Sequence, residues 1–126
     1  MKNSRTIKFG AFLALLLIVG FGCRTKQDTI AIIHVRDIAN LPVAGAEVTL
    51  FATSSMNTPA AIDTNVERTA ISNSSGDATF NYNDIYQLGQ AGVGIFNIEA
   101  SKDFNDGIGI IKVEQETTSE ETVFIQ

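Results

Sequence analysis

The chain is short of cysteine, histidine, basic residues and long apolar runs, and each shortage closes a class of protein. Cys23 is the only cysteine, so no disulfide framework forms within one chain. His34 is the only histidine, which excludes a metal site built from several imidazoles. The longest apolar block, Phe9–Gly22, has fourteen residues, whereas a bilayer-spanning helix needs about 20. Nine basic residues stand against fourteen acids, a formal charge of −5. The glycines of "AGVG", Gly92 and Gly94, have no lysine and no following helix, so they do not make a phosphate loop.

What is present first is an unusual N-terminus. Lys2, Arg5 and Lys8 precede the Phe9–Gly22 block, and Cys23, Arg24 and Lys26 follow it. A cationic start, a short apolar middle and small residues before a cut are the pattern of a secretory signal peptide, with an uncleaved short anchor as the alternative. Without residues 1–22, six bases face fourteen acids, a formal charge of −8. Such a surface repels nucleic-acid phosphates and anionic lipid alike, so no nucleic-acid partner is expected and any membrane attachment must come from another source.

Gly20-Phe21-Gly22-Cys23 supplies that source, because it resembles the lipobox of bacterial lipoproteins. The resemblance implies cleavage between Gly22 and Cys23 and lipidation of the Cys23 thiol. Gly20 stands where that family usually has leucine, a relaxed form common in the Bacteroidetes. Acyl chains contribute about 0.8 kcal/mol per buried methylene, and two or more hold a protein stably. Arg24 in place of aspartate points, by the same resemblance, to the outer membrane; the periplasmic or surface side stays open. The expected organisation is a lipoprotein signal peptide over 1–22, a lipidated cysteine and tether over 23–29, and one domain over 30–126.

From Thr29 onward the apolar period is two and turn residues recur at short intervals, which predicts an all-β, seven-stranded antiparallel sandwich. In "TIAIIHVRD", Ala31, Ile33 and Val35 share the core side, and His34 and Arg36 the other. "NLPVAG" predicts a turn with Pro42 fixing φ and Gly45 at positive φ. Ala46, Val48, Leu50 and Ala52 then point inward, with Phe51 on the polar face. Residues Ser54–Asn65 have no period and Pro59, which predicts the longest loop. "VERTAIS", "ATFNY", "VGIFNIEAS", "IGIIKVEQE" and "TVFIQ" supply the other strands. Ala78, Phe80, Tyr82, Phe96, Ile98, Ala100, Ile111, Val113, Val123 and Ile125 are expected inside.

The run Pro42-Val43-Ala44-Gly45-Ala46-Glu47-Val48, followed by Gly76 and Phe80, is similar to carboxypeptidase regulatory-like and transthyretin-like sandwich domains, with kinship to the B-type repeats of collagen adhesins. The resemblance spans about half of the chain after Cys23 and implies fold more than function. Those repeats often carry an isopeptide bond from a first-strand lysine. The first strand here, Ile30–Arg36, has none.

No catalytic residue and no cofactor is expected. His34 reads as an exposed strand residue beside Arg36; the sharper alternative makes it a proton shuttle, or a metal ligand with Asp37. Asp103, Asn105 and Glu114 fit the first, third and twelfth positions of a calcium loop. Gly107 and Ile108 break that motif, and a hairpin turn at Asn105-Asp106-Gly107 explains the same residues. Glu116, Glu120 and Glu121 read as a solvated last hairpin. The functional expectation is therefore a membrane-anchored, non-enzymatic binding or structural module of the cell envelope. Its partner would be a protein or a glycan, met through loop Ser54–Asn65 or through Phe51. The competing readings are an accessory lipoprotein of an outer-membrane transport or secretion machine, and a small hydrolase built on His34.

Overall fold

Alternation of apolar and polar residues builds seven strands in the computed structural model, which describes residues 25–53, 62–85 and 93–126. The expected signal peptide, Gly22, Cys23 and Arg24, segment 54–61 and segment 86–92 lie outside the described residues. In chain order the strands are β1 (Ile30–Arg36), β2 (Glu47–Thr53), β3 (Ile62–Ile71), β4 (Asp77–Asn81), β5 (Val93–Lys102), β6 (Asn105–Glu114) and β7 (Thr118–Phe124). Among the described residues there is no helix, and so none long and apolar enough to cross a membrane.

The strands form two sheets, β4-β1-β7 and β3-β2-β5-β6. All pairings are antiparallel except one, since β1 and β7 run parallel over Ile30–Arg36 and Thr118–Phe124. This corrects the expectation of a wholly antiparallel sandwich. Parallel neighbours need a long crossover between them, and here the other five strands provide it.

One core lies between the sheets. Ala31, Ile33 and Val35 of β1, Ala78 and Phe80 of β4, and Val123 of β7 meet Val48 and Leu50 of β2, Phe96, Ile98 and Ala100 of β5, and Ile111 and Val113 of β6. Each large aliphatic or aromatic side chain so buried contributes about 1.5–3 kcal/mol. The inward set is the one that the period-two reading expects.

Two boundaries differ from the sequence reading. β3 starts at Ile62, so the last four residues assigned to the long loop are strand. Its alternation is hidden by a bulge: Leu50 pairs with Arg68 but Ala52 with Asp63, two steps on β2 against five on β3. The β5–β6 turn is Asp103-Phe104, not Asn105-Asp106-Gly107. Asp103 takes φ 56°, which aspartate tolerates, and Asp106-Gly107 already pairs with Ala100 and Ser101.

Buried polar groups fasten the two ends. At the end where β1 finishes, Ser72 Oγ donates to Val43 O at 2.7 Å and accepts from Ala46 N at 2.9 Å. Gly45 and Gly76 take φ 75° and 80° there, and a Cβ on Gly76 would stand 2.7 Å from Val35 O. At the opposite end Thr29, assigned by sequence to the tether, is buried. Its amide donates to Asn83 Oδ1 at 2.7 Å, and its hydroxyl accepts from Glu116 N at 2.9 Å. Thr29 is therefore part of the folded domain.

The sheets close on each other where β6 passes β7. Asp106 and Gln126 exchange backbone hydrogen bonds of 3.2 and 3.1 Å. A Cβ on Gly107 would run into the Phe124 carbonyl oxygen, which is backbone and cannot swing aside. Gly107→Ala should therefore lower stability by about 1–3 kcal/mol, the cost of overfilling a packed site. Gly109→Ala, whose nearest obstacle is the Val123 Cγ2 methyl at 3.0 Å, should lose less. Urea unfolding of both variants checks the order, and equal midpoints would contradict the close approach.

Candidate functional site

Because inward and outward residues alternate, every core position on β2, β5 and β6 leaves an outward neighbour. The register aligns these neighbours in rows across the three strands. Glu47, Ser101 and Asp106 form one row; Thr49, Glu99 and Ile108 the next; Phe51, Asn97 and Ile110 the third; Ile95 and Lys112 a fourth. Strands lie about 4.8 Å apart and alternate residues about 6.6 Å along, so the rows make one continuous face.

Part of that face is apolar where a sheet surface is usually polar. Ile108 is 83% exposed, and Ile95 and Ile110 are each 59% exposed. Phe51, which the sequence placed on the polar side, is half-buried in the third row. Two grooves cross the face. One, of about 320 Å³, is walled by Glu47, Glu99 and Asp106 with Thr49, Ser101 and Ile108. The other, of about 260 Å³, is walled by Phe51, Asn97, Ile108, Gly109 and Ile110. They share Glu99 and Ile108. An acidic trough thus adjoins an apolar one.

The charges in the trough are unmatched. Among the described residues the ion pairs are His34 with Asp77 and Glu120, Arg68 with Asp84, and Lys112 with Glu114. Lys112, the one cation in the four rows, is thus held by Glu114 at 2.7 Å. Glu47, Glu99 and Asp106 have no such partner.

The sequence-marked residues are scattered. His34 sits on the outer face of the other sheet, directly opposite Asp77 on β4. Its Nδ1 donates to Asp77 Oδ1 at 2.6 Å, and its Nε2 lies 3.5 Å from Glu120 Oε1. The imidazole is therefore spanned by two carboxylates from neighbouring strands. Asp37, its expected companion, instead accepts from Ala39 N and Leu41 N in its own turn, both at 2.9 Å. Asp103 lies in the β5–β6 turn, and Asn105 and Glu114 are the first and last residues of β6. A ten-residue strand holds its ends on the order of 30 Å apart, so these three do not converge. Among the described residues no group of three His, Cys, Asp or Glu side chains could hold a metal ion.

Sequence reading missed Ile95, Ile108 and Ile110 as a set. The available signal was phase: in "GIGIIKVE", Ile108 and Ile110 fall on the side opposite Ile111 and Val113.

One charged cluster is structural. Tyr82 stacks on Phe96 with centroids 4.9 Å apart, and the Arg68 guanidinium lies 5.3 Å from the Tyr82 centroid. Arg68 Nη2 donates to Asp84 Oδ2 at 2.5 Å. That hydrogen bond, joined by the Arg68 charge and opposed by burial, holds the Asp84 carboxyl below its ordinary value. The stabilisation is complete above the unfolded value of about 3.9 and is lost as pH falls through the lowered folded one. The stability gap between wild type and Arg68→Met should therefore narrow on acidification below about 4. Thermal melts across that range check it, and a constant gap would contradict it. Neither a protein-family model nor a curated protein matches the chain.

Proposed function

We propose that the chain is a lipid-anchored lipoprotein of the bacterial outer membrane whose domain works as a non-enzymatic binding module for a protein or glycan partner. We read the two-sheet fold as transthyretin-like, of the carboxypeptidase regulatory-like kind. The observation that carries the binding role is the outward apolar patch of Ile95, Ile108, Ile110 and Phe51, spread over three adjoining rows of the four-stranded sheet. Apolar surface concentrated in this way marks interaction sites in soluble domains. The anchor rests on Gly20-Phe21-Gly22-Cys23.

Topology supports the combination. β1 begins at the end of the sandwich fastened by Thr29, so a tether from Cys23 reaches the domain there. The outer sheet face runs parallel to the strands and lies beside that attachment point, not beneath it. A lipid on Cys23 would leave the face open to a partner arriving from the side or from beyond the membrane surface.

Metabolic acyl labelling and mass spectrometry of the mature N-terminus test the anchor. The chain should begin at Cys23 and carry acyl mass, and Cys23→Ala should leave the membrane fraction; a start elsewhere or an unmodified thiol would overturn it. A photo-crosslinking residue in place of Asn97 tests the binding role. It should give a discrete adduct in cells, whereas the same residue in place of Thr79 on the other sheet should not. Equal or no labelling at both positions would count against the module.

A further inference from the structure

The face that carries the binding role also says what its occupant must look like, and this step rests on that role. Three features bear on it. The trough walled by Glu47, Glu99 and Asp106 has three carboxylates without an ion-pair partner among the described residues. The adjoining groove is walled by Phe51, Ile108 and Ile110. The two meet at Glu99 and Ile108, which are paired across β5 and β6, so an acid and a large apolar side chain stand side by side.

We propose that this face docks an extended, basic segment of a protein partner whose sheet-facing side, made of every second residue, carries lysine or arginine and large apolar residues in turn. Alternate residues of an extended chain lie about 6.6 Å apart on one side, which matches the step along the strands from the row of Glu47 and Asp106 to that of Glu99 and Ile108, and from there to that of Phe51 and Ile110. A cation entering the trough meets Glu47, Glu99 and Asp106 before it meets Lys112, whose charge Glu114 already offsets. The apolar neighbour covers Ile108 and Ile110, which removes the most exposed part of the face from water.

Two other occupants fit less well. A second copy of this chain, packed face to face, would add three more unmatched carboxylates and, as its one cation on the face, a Lys112 already held by Glu114, so it leaves the trough without a counter-charge. A glycan stacks on flat exposed aromatic rings, and Phe51, half-buried, is the aromatic residue in the four rows.

Three synthetic peptides that carry serine at every second position and, in turn at the positions between, Lys and Val, Glu and Val, or Lys and Ser, test the proposal by titration into the full chain held in detergent. The Lys/Val peptide should bind, with amide shifts confined to β2, β5 and β6, and should weaken with salt. Each of the other two should bind at least about tenfold more weakly, a difference of about 1.4 kcal/mol. Ile108→Asp separates specific docking from general attraction, because it adds a negative charge while removing apolar contact. Docking as proposed predicts weaker binding to Ile108→Asp, and to Glu99→Gln with Asp106→Asn. Unchanged or tighter binding by Ile108→Asp overturns the proposal, as does failure of the Lys/Val peptide to bind. A dimer in sedimentation that Ile108→Asp dissolves would assign the face to a second copy and overturn it too. A discrete photo-adduct at Asn97 together with no Lys/Val binding would leave the binding module standing and the basic partner refuted.

Discussion

β7 passes β6 to join the other sheet, and it can do so because β6 presents no side chain at the crossing. Gly107 lies against the Phe124 carbonyl and Gly109 against Val123. A strand that must give up inward side chains over its first half has only its outward positions left for apolar residues there. Ile108 and Ile110 occupy them. From Ile111 onward the same strand returns to the core through Ile111 and Val113. The closure of the sandwich and the exposed apolar face are therefore two results of one local constraint.

The same economy of contacts sets the two ends. Ser72 ties the β1–β2 connection to the segment between β3 and β4, and Thr29 ties the start of β1 to Asn83 and Glu116. Both are buried polar residues whose hydrogen bonds are supplied within the fold, which is the condition for burying them at small cost. With these bonds, each end of the sandwich is closed by groups of the fold itself.

The core was legible because burial acts on every second residue, and "TIAIIHVRD" or "ATFNY" carries that period without interruption. β3 was less legible, because the bulge opposite Phe51 adds residues to one strand and breaks the count. The parallel β1–β7 pair was hidden for another reason: parallel and antiparallel strands bury residues with the same period, and only the long-range path of the chain distinguishes them. The His34–Asp77 pair joins residues 43 positions apart, and it depends on register, which no local pattern states. The acidic and apolar rows were hidden likewise. Each strand shows its own outward residues, but the row that places Glu99 beside Ile108 exists only once β5 and β6 are aligned.

The placement of β1 has a mechanical meaning. It is the central strand of its sheet, with five register pairs to β4 on one edge and seven to β7 on the other. A pull on its first residue, directed back along the strand while the load sits on the other sheet, cannot peel it from an edge. The strand would have to slide lengthwise between two neighbours, breaking both ladders together and not one bond at a time. A domain attached through the front of such a strand resists being drawn off its tether in the direction in which a membrane anchor would pull.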